Sequence, residues 1–373
     1  MPRSRCRSCF VVCLLGVALA LFVVPLTSQA IPRYAARYDQ NCSLCHDDPT
    51  GGGKRTTYAA QYLWPVEMVH FPPDSAGLER IAPQLGKSLS VGCDLRTIYH
   101  ESTADAGAHG FLQMEGNLYV YIDPDPRFAL YLARGISGNY EVFGMARVLP
   151  AQGYLKIGRF VPPYGWRWAD HTAFVREDEG FVPPTHTDVG LEAGLFPGRL
   201  SVQVAVTNGA RGSLQDSDSR LAASGVAQGR FHLMGVACAA GGSFTLQPRD
   251  ALGARRTGGG VFGSLDVWRL TLVGQMDLLQ SELGDEKETA WVWSQEAAGR
   301  LTRGLDLLVI HDYLDPDIDW STGARERWGM GAECRPVPAL QMRFTVERLR
   351  VDAGPATAGE DAWQGEAQVH FLF

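Results

Sequence analysis

The chain has 373 residues, 45% hydrophobic and 20% charged, which excludes long-range disorder and leaves room for one large domain or two ordinary ones. The formal net charge is −7 and no basic run occurs, so a nucleic-acid partner, which needs Lys and Arg against its phosphates, is excluded as a class.

Residues 1–30 read as a targeting segment. Arg3, Arg5 and Arg7 make a basic start, 10–26 is an apolar core, and Ser28 and Ala30 are small enough for cleavage. The rival reading, an uncleaved anchor, needs a longer apolar run. Cleavage after Ala30 would remove three arginines and take the net charge from −7 to −10. Cys6, Cys9 and Cys13 would leave with it; "CRSCF" carries Phe10 where a haem motif has His. Cys42, Cys45, Cys93, Cys238 and Cys334 would remain. The last three are scattered through strand-like sequence and read as small apolar side chains, with a disulfide between two of them left open.

The segment 31–85 opens on "NCSLCHDDPTGGGKR" (41–55). Behind a signal peptide, Cys-x-x-Cys-His is the attachment signal for a c-type haem. Two thiols add to the two vinyl groups of the porphyrin, and the adjacent imidazole reaches the iron. Cys42 and Cys45 are therefore the expected thioether positions, and His46 the proximal ligand, of one covalent haem c. Lys54 and Arg55 are candidate partners for its propionates. For the second axial position Met68 and His70 both stay open; Met would raise the reduction potential and His would set it lower. The sequence predicts a short helix over 54–64. Gly51, Gly52 and Gly53 are not a phosphate loop, because the second half of that motif is missing. About 55 residues are few for a domain that must wrap a porphyrin alone, so the apolar side chains here are expected to dock on the remainder of the chain.

From 86 to 373 one pattern repeats. Leu112, Met114, Leu118, Val120 and Ile122 share one parity, and Gln113, Glu115, Asn117, Tyr119 and Tyr121 the other. Leu200, Val202, Val204 and Val206 alternate with Ser201, Gln203 and Thr207; Leu340, Met342, Phe344 and Val346 alternate with Gln341, Arg343, Thr345 and Glu347. Period-2 alternation means strands with one apolar and one polar face. The strands run to about ten residues, longer than the five or six usual in soluble sheets, and carry charges mid-strand. Sixteen are predicted: 88–101, 110–122, 127–135, 140–148, 154–161, 187–196, 199–208, 219–227, 231–243, 259–266, 268–280, 289–301, 304–313, 324–334, 339–350 and 363–373. Even-numbered junctions such as "DPDP", "LPAQG", "FPGR", "TRG" and "RPVP" are short, and most odd-numbered ones longer. Short turns on one side and long loops on the other is the layout of outer-membrane barrels. The last strand, "AWQGEAQVHFLF", ends on an aromatic residue, as insertion signals of such barrels do. The expected fold is all-β: an antiparallel transmembrane barrel of about sixteen strands in a bacterial outer membrane, with a small helical haem segment before it.

The longest junction, 161–186, reads as the third outside loop, which in barrels of this size can fold inward and narrow the pore. Asp170, His171, Glu177, Asp178 and Glu179 are candidates for a metal site or an anion barrier there, against the simpler reading of a solvated acidic loop. Trp166 and Trp168 are read as interface anchors or as lining the lumen.

A signal peptide, one Cys42-x-x-Cys45-His46 site and a C-terminal porin-like region together resemble the fused monohaem cytochrome–porins of the bacterial outer membrane, best known from iron oxidisers. "RYAARYDQNCSLCHDDPTGGGKR", "YLKIGRFVPPYG" and "DHTAFVR" are similar to stretches of related outer-membrane cytochromes. The resemblance implies electron transfer across the outer membrane, between periplasmic c-type cytochromes and an extracellular donor or acceptor, Fe(II) among them. The alternative function is a small-solute porin whose haem-bearing plug gates or senses redox state.

Overall fold

The computed structural model describes residues 32–38, 40–104, 109–136, 140–168, 170–179, 187–210, 220–248, 254–284, 286–320, 322–353 and 359–373. The targeting segment 1–30 lies outside the described residues.

Alternation of side chains at period 2 produces sixteen antiparallel strands, and they close on themselves. They are β1 Leu89–Ser102, β2 His109–Asp125, β3 Phe128–Gly135, β4 Tyr140–Leu149, β5 Gly153–Phe160, β6 Asp188–Leu195, β7 Leu200–Thr207, β8 Ala222–Leu233, β9 Val236–Gln247, β10 Ala254–Val267, β11 Leu270–Leu283, β12 Glu286–Thr302, β13 Leu305–Asp315, β14 Arg325–Val337, β15 Leu340–Val351 and β16 Glu360–Leu372. Each pairs with its neighbours in sequence, and β1 pairs with β16 from Asp94↔Leu372 to Ser102↔Gln364. Closure leaves no edge strand with unpaired backbone groups.

The two faces sort as the alternation demands. On β3 every second residue is covered, Ala129, Tyr131 and Ala133 inward, with Phe128, Leu130 and Leu132 outward. Leu118, Leu191, Val204, Leu272, Val309, Phe344 and Phe371 belong to the same outward apolar band. An apolar surface this continuous is stable against lipid and not against water. No helix among the described residues is long and apolar enough to cross a membrane. One strand departs from the predicted parity. The β1–β2 register shifts between Arg96 and Thr97, so Arg96 pairs with Glu115 and Thr97 with Gln113. The skipped residue, Met114, reverses the alternation, and Gln113 is exposed where an inward position was expected.

The predicted boundaries hold within a few residues except around β8 to β10. The sequence placed a turn near 228–230; the strand instead continues to Leu233 and turns at Met234 and Gly235, both at positive φ. Cys93, Cys238 and Cys334 sit on β1, β9 and β14 as free thiols, so no pair among them is bridged.

The lumen is filled by two elements. The first is the N-terminal segment, with helices α1 Pro32–Tyr38, α2 Cys42–Cys45, α3 Ala59–Met68 and α4 Ser75–Arg80. It enters at the short-turn end: the Trp64 indole N–H donates to Pro338 O in the β14–β15 turn (2.8 Å), and His70 N–H donates to Arg335 O (2.8 Å). Tyr34, Trp64, Met68 and Val69 pack with Leu372 of β16, so the segment docks its apolar residues inside the barrel. The second is the loop between β5 and β6, whose described part carries helix α5 Phe174–Glu179. It folds inward: Tyr164 and Trp168 bond to Asp277 and Gln275 of β11, Val175 N–H to Ser294 of β12.

Candidate functional site

The Cys42-x-x-Cys45 spacing closes a single helical turn, α2, so both thiols lie on one side of it, three residues apart. His46 follows at its C-cap, and its N–H donates to Cys42 O (2.8 Å). The chain then turns back. His46 and Arg55 form a β-bridge, Asp47 N–H donates to Lys54 O (3.1 Å), and Thr56 N–H donates to Cys45 O (3.0 Å). This bridge is why the predicted helix over 54–64 starts late. Lys54 lies in a bend and Arg55 in the bridge, the Thr56 hydroxyl accepts from Ala59 N–H, and a wide-turned π-helix, α3, runs to Met68 through Pro65.

The glycines have a steric role. Gly51, Gly52 and Gly53 all take positive φ (92°, 77° and 61°), which side-chain-bearing residues avoid. A Cβ on Gly53 would collide with the Tyr131 hydroxyl, and the Arg167 side chain runs past Gly51 and Gly52. The loop is stitched to the inner wall: Tyr131 Oη accepts from Lys54 N–H (3.1 Å), Gln203 Nε2 donates to Pro49 O (3.1 Å), and Lys156 of β5 pairs with Asp48 (3.0 Å).

One cavity of about 290 Å³ lies between the N-terminal segment and the inward loop. Cys42, Cys45, His46 and Met68 all line it. His70 does not: it is exposed at the short-turn end, with Nδ1 3.1 Å from Arg303 O. The two residues left open as sixth ligand are thus separated, with the Met68 side chain at the cavity and His70 away from it.

Protonation follows from burial. Burial pushes the Cys42 thiol up to about 12 and the Cys45 thiol up to about 11. A reactive thiolate in the free protein needs the opposite shift. Burial, with Arg55 nearby, lowers His46 to about 4, so its imidazole is neutral at pH 7. Its Nδ1 is buried without a hydrogen-bond partner. Two neutral thiols beside a neutral imidazole, with a thioether on the same cavity, are a donor set that fits haem c.

Lys54 and Arg55, paired in the sequence reading, separate in the structure. Lys54 is buried and its ammonium meets Asp47 (2.8 Å). Arg55 lines the cavity with its guanidinium 4.8 Å from the Trp64 ring centroid. Two further cavity arginines, Arg167 and Arg176, come from the inward loop and carry no motif by which sequence would single them out.

The described loop residues are engaged inside the barrel. The Asp170 carboxylate is taken by Arg343 (2.9 Å), by Arg327 (3.7 Å) and by Thr172 N–H (2.8 Å). Burial alone would raise it, but the two arginines hold it well below the usual carboxylate range. His171 lies 3.6 Å from Glu115 of β2, and burial keeps it neutral. Glu177, Asp178 and Glu179 are in α5, and their side chains lie outside the described residues. No group of three His, Cys, Asp or Glu fit to hold a metal ion occurs among the described residues. Asp170 anchors the loop, its carboxylate committed to two arginines. Trp166 and Trp168 line the cavity inside the lumen, so they are not interface anchors.

The N-terminal segment is itself clamped by buried charge. Arg33 reaches Glu333 (2.6 Å) and Glu296 (3.1 Å), and Arg37 reaches Asp306 (3.0 Å). Arg335 pairs with Asp306 (2.5 Å) and Glu333, and the Tyr34 hydroxyl donates to Glu333. Sequence alone gives no signal for this network, whose partners lie about three hundred residues apart.

The sequence matches no protein-family model and no curated protein. Among solved structures the chain is similar to an anion-selective porin from Comamonas acidovorans (TM-score 0.57, 11% identity, covering 77% of this chain and 99% of that one). It is similar to OmpT of Vibrio cholerae (TM-score 0.58, 9% identity, 78% and 99%) and to OprB of Pseudomonas putida (TM-score 0.58, 10% identity, 82% and 99%). At these identities the likeness is one of fold: a porin-like barrel, covered nearly whole in each neighbour.

Proposed function

We propose that this protein carries electrons across the bacterial outer membrane, through a haem c held covalently inside the lumen of its own barrel. It would link periplasmic c-type cytochromes to an extracellular donor or acceptor. The outward apolar band and the porin-like fold support a membrane-spanning barrel in that bilayer. One observation carries the reading of the lumen: Cys42, Cys45, His46 and Met68 line a single cavity between the N-terminal segment and the inward loop.

The physical requirement is plain. A hydrocarbon layer about 30 Å thick excludes ionic carriers, so an electron site has to sit inside a wall that lipid does not penetrate. When bound, the haem would supply a one-electron couple at its iron. The chain's own residues do the rest. Cys42 and Cys45 would hold the porphyrin, His46 would offer its neutral imidazole, and Met68 its thioether. Trp64 and α3 screen the cavity from the short-turn end, and Trp166, Arg167 and Trp168 from the loop side.

The porin-like neighbours favour a second reading, a small-solute pore that the N-terminal segment gates. A liposome assay separates the two. An impermeant external reductant should reduce an enclosed acceptor dye with the parent protein and not with the Cys42→Ser/Cys45→Ser protein. Equal dye reduction by both proteins defeats the electron-transfer reading. Free passage of small solutes through the parent protein supports the pore.

A further inference from the structure

We infer that the inward loop is part of the cofactor site: Arg167 and Arg176 form an anion pocket that holds the two propionates of the haem, closing it between the loop and the N-terminal segment. The inference rests on the haem reading above and names residues that the Cys-x-x-Cys-His motif does not.

The argument compares arginines on one cavity. Arg96, Arg343, Arg167 and Arg176 all line it. Arg96 has Glu115 at 3.4 Å, and Arg343 has Asp170 at 2.9 Å. Arg167 and Arg176 have no carboxylate within ion-pair distance among the described residues. Arg167 donates only to neutral oxygens, Thr50 Oγ1 (3.0 Å) and Val161 O (3.2 Å), and Arg176 donates to Trp168 O (2.6 Å). Of the acids whose charge bears on Arg167, Asp48 is committed to Lys156 (3.0 Å), and Glu141, on the same cavity, accepts from Val161 N–H (3.3 Å). A buried cation without an ion-pair partner is costly, a cost that a bound anion relieves. Burial and the charge of Arg96 lower Arg176 to about 10 in spite of Glu115 and Asp170, so the nearby carboxylates do not compensate it.

A Cβ on Gly51 would lie 3.1 Å from Cys42 Sγ and 3.9 Å from Arg167 Cγ, so the inward loop and the N-terminal segment meet at this turn. Arginine presents a planar fork that matches a carboxylate. Of the two cations expected from sequence to meet propionates, Lys54 is consumed by Asp47, which leaves Arg55 and the loop arginines for that role.

Free dicarboxylates passing through the pore have the same chemistry, so the experiment distinguishes the sources. Midpoint potentials are measured on haem-containing protein in detergent for the parent, Arg167→Gln/Arg176→Gln, Arg167→Lys/Arg176→Lys and Arg127→Gln, each also titrated with succinate. Removing positive charge beside the haem favours the oxidised form. The Gln pair should therefore shift to lower potential, the Lys pair should return most of the shift, and Arg127→Gln, on an exposed turn, should leave the potential unchanged. An unshifted Gln pair that still carries haem overturns the inference, as does a succinate-dependent shift in the parent, which would assign the arginines to a free anion. If the Gln pair fails to fold, the single Gln variants make the same comparison. Absence of haem from the parent defeats the electron-transfer reading itself and is seen separately, in its spectrum.

Discussion

Glu333→Ala tests how the N-terminal segment is held. The Glu333 carboxylate is buried and accepts from Arg33 (2.6 Å), from Arg335 and from the Tyr34 hydroxyl. Truncation leaves three buried donors facing an empty acceptor position. Removing one partner from a buried ion pair costs about 3 to 5 kcal/mol. Arg33 keeps Glu296 at 3.1 Å and Arg335 keeps Asp306 at 2.5 Å, which favours the lower end. At about 1.4 kcal/mol per tenfold, some 3 kcal/mol weakens docking by about two powers of ten. The backbone ladder of β14 is untouched, so the barrel should keep its heat-modifiable mobility on gels. Single-channel conductance in planar bilayers should rise, and trypsin should cut at Arg55 in detergent. Glu333→Gln, which keeps a hydrogen-bonding amide, should show a smaller effect. Parent-level conductance and parent-level protection in Glu333→Ala would refute the charge-clamp argument.

Three more outcomes follow from the same geometry. Cys42→Ser/Cys45→Ser should lose peroxidase-active haem staining while retaining barrel mobility, because neither thiol contributes to a strand. Met68→Ala should lower the midpoint potential and admit added imidazole to the haem, since a thioether ligand raises potential; His70→Ala, exposed and away from the cavity, should do neither by the same spectroscopic titration. Asp170 has its carboxyl held below the ordinary aspartate value of about 3.9, so its stabilisation of the loop is complete above that value and is lost only as pH falls through the depressed one. Hydrogen exchange of 170–176 should therefore stay protected from pH 7 to pH 4 after correction for intrinsic rates, and Asp170→Asn should lose that protection at pH 7.

The barrel was legible because each strand separates two environments. Val202, Val204 and Val206 against Gln203 and Thr207 announce a lipid face and a lumen face without any partner being known. Legibility fell where that contrast is weak. "SGVAQGRF" and "ACAAGGSF" are rich in Gly and Ala on both parities, and there the β8–β9 turn was misplaced by about five residues. Met114 shows another limit: a bulge reverses parity without changing composition. At the site, Cys42, Cys45 and His46 were visible because their chemistry depends on local spacing. Arg167, Arg176, Glu333 and Arg335 were not, because their roles exist only once distant strands and the inward loop meet. The acidic "REDEG" draws attention to the loop for a metal, whereas the acid that pairs to arginines of β14 and β15 is Asp170, outside that run.

The most direct test is an absorption spectrum and an intact mass of the protein purified in detergent from cells able to attach haem. The account predicts c-type haem absorption and a mass increase of one haem per chain, with Cys42 and Cys45 blocked to alkylation. A colourless protein whose Cys42 and Cys45 both react with the alkylating reagent would contradict it.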